Sequence, residues 1–96
     1  MIREIATITI DPSHAAEFEA AVAKARPHFE AANGFVSFTL DKSIENAGRY
    51  LLFVGWESVE AHMVDFREST GFQAWRDLVA HFFVTPPAVE HVEHVI

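Results

Sequence analysis

The sequence has no cysteine, only four glycines and four prolines in 96 residues, half as many basic as acidic side chains, and no long hydrophobic run. Without cysteine there is no disulfide framework, thiolate metal site or cysteine nucleophile, which excludes small disulfide scaffolds and zinc ribbons. Seven basic residues against 14 acidic ones give a net charge of −7. Arg3, Lys24, Arg26, Lys42, Arg49, Arg67 and Arg76 are scattered singly along the chain, so they build no cationic surface for a phosphate backbone. No nucleic-acid partner is expected. No apolar run approaches the roughly 18–20 residues that cross a bilayer, and Met1-Ile2-Arg3-Glu4 opens a strand pattern rather than a signal peptide. The reading is a cytoplasmic protein with no membrane partner.

Apolar mass is abundant: half of the residues are hydrophobic, with nine Phe and two Trp. A chain this short buries about 60–65% of its unfolded surface, so one small domain over residues 1–96 has more aromatic bulk than one small core needs. Part of that load is expected at an interface.

Ile2 to Ile10 alternates Ile2, Glu4, Ala6, Ile8 and Ile10 against Arg3, Ile5, Thr7 and Thr9, and reads as a strand. Asp11-Pro12-Ser13 ends it and supplies an N-cap with proline at the first helical position. Phe18, Val22, Ala25, Phe29 and Ala32 then form one helical stripe, which Pro27 is expected to kink or end early, and Asn33-Gly34 gives a left-handed stop. Phe35 to Asp41 is a second strand, with Val36, Phe38 and Leu40 on one face, and a polar turn leads to a third at Tyr50–Trp56. Ser58 caps a short helix with Val59, His62, Met63 and Phe66. Thr70-Gly71-Phe72-Gln73 fits a capping box for a helix from about Phe72 to Phe82, and Ala88–Ile96 closes the chain as a strand.

The order β-α-β-β-α-β is the ferredoxin-like arrangement, an α+β fold with an antiparallel four-stranded sheet and its helices on one face. Tyr50 to Trp56 is apolar on both faces, so Leu and Phe side chains are left on the face without helices. A homodimer packed sheet on sheet is expected to cover them.

Two strings, Trp56-Glu57-Ser58-Val59-Glu60-Ala61-His62 and Glu68-Ser69-Thr70-Gly71-Phe72, resemble the antibiotic biosynthesis monooxygenase domain of the dimeric α+β barrel superfamily. The resemblance implies a dimer whose sheets face each other as a barrel, with a pocket in each subunit between sheet and helices. It implies a cofactor-independent monooxygenase that oxidises a quinol- or anthrone-type aromatic with O2, using an apolar cavity, a base, and donors for developing peroxide charge. Many members carry a histidine where this chain has Phe66 and another where it has Gly71. Haem-degrading relatives place an axial histidine where Arg76 stands and a tryptophan where Phe66 stands, so haem degradation is disfavoured.

His62 shares a face with Met63 and Phe66 and is the candidate base, against a partly exposed helix histidine. Arg76 is the candidate donor to an anionic oxygen, against a solvent ion pair, and Tyr50 is a further polar candidate. Trp56, Phe66, Phe72, Trp75 and Phe53 are the candidate substrate pocket, against plain core packing. His91 and His94, three apart on a strand, point to opposite faces and cannot chelate one ion, so no metal site is expected. His14 and His28 read as surface residues, and His81 as a favourable charge at a helix C-terminus. The alternative function is a non-catalytic dimeric binding protein for a hydrophobic metabolite; a barrel that serves assembly alone would have the space between helices and sheet filled.

Overall fold

The computed structural model describes residues 1–96. Strands β1 (Ile2–Thr9), β2 (Phe35–Lys42), β3 (Arg49–Trp56) and β4 (Ala88–Val92) pair antiparallel in the order β2-β3-β1-β4. Helices α1 (Ala15–Glu30) and α2 (Thr70–Val79) complete the α+β, ferredoxin-like order, and a π-helical turn at Ala61–Phe66 links β3 to α2. No helix is long and apolar enough to cross a membrane.

The period of two in the strands decides what meets the helices. Cross-strand partners share a face, so the pairs Ile2–Trp56, Glu4–Val54, Ala6–Leu52 and Ile8–Tyr50 project together. Ala6, Ile8, Tyr50, Leu52, Val54 and Trp56 of these pairs make one buried core with Phe18, Val22, Ala25 and Phe29 of α1 and Trp75 and Val79 of α2. Phe29 is the hub of its aromatic part, with ring centroids 4.6 Å from Phe66, 4.9 Å from Phe38 and 5.1 Å from Trp75. The alternate residues Ile5, Leu51 and Phe53 lie half-buried on the opposite face, which carries no helix.

Several boundaries differ from expectation for identifiable reasons. Pro12–His14 forms a separate 3₁₀ turn capped by Asp11, and α1 starts after it. Helix α1 runs through Pro27 to Glu30 although a proline gives up its own N–H and crowds the carbonyl four residues back; the N–H of Ala31 still bonds the Pro27 carbonyl at 3.0 Å. A bulge between Phe35 and Ser37 turns Val36 outward and leaves Phe35 edge-on to Trp56 at 6.3 Å. The cap of α2 is Ser69 rather than Thr70: its Oγ accepts from the N–H of Phe72 at 3.3 Å and donates to the Phe66 carbonyl at 2.6 Å. One hydroxyl thereby ties the end of the π turn to the start of α2. That helix gives way to a 3₁₀ turn at Ala80–Phe82, and β4 ends at Val92 rather than Ile96.

The π turn is seated by Gly34, whose φ of +78° follows α1. A Cβ there would stand 2.6 Å from the Cβ of Ala61, the first residue of that turn. Gly34→Ala is therefore expected to lower stability by about 1–3 kcal/mol, from left-handed strain plus displacement of the turn. Urea unfolding checks this; a loss below about 0.5 kcal/mol would show that the turn is not wedged there.

Candidate active site

A cavity of about 240 Å3 opens between the inward face of β1 and β3 and the helix α2. Ala6, Ile8 and Leu52 form its sheet wall, Phe72, Trp75 and Arg76 its helix wall, and Phe83, Pro86, Pro87 and Val89 its far side. Glu4, His62 and Arg67 supply further polar lining. A shallow depression of about 270 Å3 lies beside it and shares Arg76, Phe83, Pro86 and Pro87 with it. A more open groove of about 290 Å3 between the end of α1 and the start of α2 is lined by His28, Asp65 and Ser69 among others, and holds no buried ionisable group. The chemistry is concentrated in the first cavity.

A buried carboxyl and a buried imidazole meet there. Glu4 is 5% exposed and His62 is 3% exposed, on two elements far apart in sequence. The π turn positions His62: its wider winding buries Ala61, His62 and Phe66 while leaving Met63, Val64 and Asp65 outside, and the Arg67 N–H closes the turn on the His62 carbonyl at 3.1 Å. Trp56 lies parallel to the imidazole, with centroids 5.3 Å apart and planes 14° from parallel. Its Nε1–H donates to Glu4 Oε1 at 3.1 Å, and His62 Nε2 lies 3.2 Å from that same oxygen. On the other side of the ring, His62 Nδ1 is 2.8 Å from Nε2 of His91 on β4, the strand partner of Glu4.

A carboxylate beside the ring favours one tautomer of His62. A lone pair on Nε2 would face a carboxylate oxygen, so Nε2 carries the hydrogen, and Nδ1 accepts from the Nε2–H of His91. Burial holds His62 down to about 4 from its usual 6.5, helped by His91 and then Arg67, so the imidazole is neutral at physiological pH. Burial pushes Glu4 up; the Trp56 bond and the positive charge of Arg67 offset part of that rise. Glu4 and His91 address opposite nitrogens of one ring, so these three cannot converge on a single metal ion.

Of the sequence candidates, His62, Phe72, Trp75 and Arg76 line the cavity. Trp56 and Phe66 stand behind this wall, Trp56 against His62 and Phe66 at 5.8 Å from Phe72. Phe53 is a correction: it pairs with Ile5 and points to the opposite face of the sheet, because it is odd in the alternation that sends Leu52 and Val54 inward. Tyr50 is also remote from the cavity. It donates to Glu19 at 2.6 Å, and burial, then Glu19, pushes it up to about 12. His14, His28, His81 and His94 are exposed. Two members of the cluster, Glu4 and His91, are not among the sequence candidates. Glu4 was visible as the one charge among the inward residues of an otherwise apolar alternation, whereas nothing local to His91 indicates that it meets His62.

The family model for antibiotic biosynthesis monooxygenase matches residues 1–78. The uncharacterized protein YczJ of Bacillus subtilis is 37% identical over 95 residues, which cover 99% of this chain and all of YczJ. A solved Bordetella bronchiseptica structure assigned to antibiotic biosynthesis monooxygenases is 50% identical, with a TM-score of 0.96 over 99% of this chain and 97% of that one. The Streptomyces coelicolor monooxygenase from ActVA-Orf6, solved with Nanaomycin D, is 20% identical, with a TM-score of 0.80 over 99% of this chain and 89% of that one, a likeness of fold.

The environment of His62 has a spectroscopic consequence. In a 15N-detected titration its ring is expected to stay neutral from pH 7 down to about 5 and to take up a proton only near 4. Titration near 6.5 would contradict the buried, hydrogen-bonded placement.

Proposed function

The chain belongs to the antibiotic biosynthesis monooxygenase family, and on that premise we propose that it is a cofactor-independent monooxygenase acting on a quinol- or anthrone-type aromatic. The observation that carries this is the cavity itself: apolar and aromatic walls enclosing a buried acid–base cluster, with two guanidinium groups in the lining. Phe72 and Trp75 offer edges and faces to a planar ring. The Glu4, His62 and His91 cluster receives the substrate proton, leaving an electron-rich carbanion or phenolate that reduces O2 directly. Arg76 supplies positive charge for the oxyanion or peroxide that develops. For an anthrone the CH2 carbon takes one oxygen atom as the carbonyl and the other leaves as water, so O2 alone balances the four electrons.

A second copy covers the helix-free face of the sheet in this reading. Ile5, Leu51 and Phe53 give it an apolar strip, and sheet-on-sheet pairing buries the strip in both copies at once. Phe53→Arg is expected to give a monomer by sedimentation; an unchanged mass for wild type and variant would place any association elsewhere.

Metal-free protein is expected to consume O2 with hydroquinones or anthrones above the buffer rate. Arg76→Leu should lower kcat by about 10²–10³-fold, as for loss of one donor to a developing oxyanion. No turnover across such a panel, with saturable binding of the same aromatics, would leave the chain as a binding protein for hydrophobic metabolites.

A further inference from the structure

We propose that Glu4 is the catalytic base, taking the substrate proton directly on Oε2, and that Trp56, His62 and His91 hold that carboxylate in position. The inference rests on the oxygenase reading for its reaction and on geometry for its atom. His62, the obvious base, has neither ring nitrogen free: Nδ1 bonds His91 at 2.8 Å and Nε2 lies 3.2 Å from Glu4. Glu4 is different. Both of its contacts, with Trp56 and His62, fall on Oε1. No buried side-chain oxygen in the molecule lacks a partner, so Oε2, which makes no bond to protein, is accessible, and Glu4 lines the cavity. The carboxylate therefore presents a fixed, unshared oxygen to whatever occupies that space.

The groups around Glu4 suit this role. Trp56 Nε1–H and neutral His62 fix its orientation, so little rearrangement is needed when the proton arrives. Burial raises its basicity against the partial opposition of Trp56 and Arg67, which suits proton abstraction better than a solvated carboxylate would. In the step itself, the substrate O–H or acidic C–H bond breaks, the proton bonds to Oε2, and the electron pair remains on the substrate beside Arg76. The carboxyl then returns its proton from Oε2 to the peroxide anion that forms when the substrate anion adds O2, which restores the carboxylate. Arg67 and Arg76, His62, and His91 are the charged or titratable groups that face this carboxylate or the cavity, and the turnover profile should rise with pH as Glu4 ionises.

Two readouts test the assignment, one of them without turnover. Glu4→Gln keeps the shape and an acceptor for Trp56, and is expected to lower kcat by about 10²–10⁴-fold with KM changed by less than about threefold, abolishing the rise with pH. Glu4→Asp should restore part of that pH dependence. Independently, 4-nitrophenol bound to wild type under nitrogen should titrate at least about one pH unit higher than when bound to Glu4→Gln, because a facing carboxylate favours the neutral phenol. A shift in the probe with no turnover in wild type would retain Glu4 as the proton acceptor and remove the oxygenase reading. Turnover in Glu4→Gln within about threefold of wild type, an unshifted probe, or failure of wild type to bind the probe would overturn the proposal.

Discussion

A carboxylate on the inward face of β1 must be satisfied inside an apolar contact between sheet and helices, and much of the local architecture answers to that requirement. Leaving Glu4 unpaired there would cost several kcal/mol. Trp56 at the end of β3 and His62 in the π turn converge on one of its oxygens, from elements that only the folded topology brings together. The π turn, the Gly34 approach that seats it and the Ser69 hydroxyl that joins it to α2 are the means by which His62 reaches this place. His91 then completes the ring's hydrogen bonding from β4.

The same arrangement separates the roles of the aromatic residues. Phe29, Phe66, Phe38 and Trp56 form a packed group behind the cavity, while Phe72 and Trp75 also present surface to it. Arg67 approaches the Phe72 ring at 5.6 Å, so one guanidinium both covers an aromatic wall and biases the charge of Glu4. In a protein with a net charge of −7, Arg67 and Arg76 both line this one small cavity while remaining exposed to solvent.

Much of this was legible in the amino-acid order. Alternation in Ile2–Ile10 and Tyr50–Trp56, the stripe from Phe18 to Phe29 and the stops at Gly34 and Pro86-Pro87 suffice for the ferredoxin-like order, because each is a local pattern with one structural solution. Phe72, Trp75, His62 and Arg76 were recognisable as cavity candidates for the same reason. What escaped the reading was either non-local or a departure from regular geometry. The bulge at Val36 shifts a face by one residue, the π turn replaces an ordinary helix around His62, and the choice of Ser69 over Thr70 as cap follows from the bond to Phe66. Phe53 was misplaced by weighing residue type above parity. His91 meets His62 only through pairing of β4 with β1, which no short motif records.

Glu4 and His62 act as one coupled unit rather than as two separately tolerated buried groups. A double-mutant cycle in urea-monitored stability, using Glu4→Gln, His62→Gln and the double variant, measures that coupling directly. The structure predicts an interaction of at least about 1 kcal/mol, with the double variant losing less than the sum of the single losses. Additivity within about 0.3–0.5 kcal/mol would contradict it.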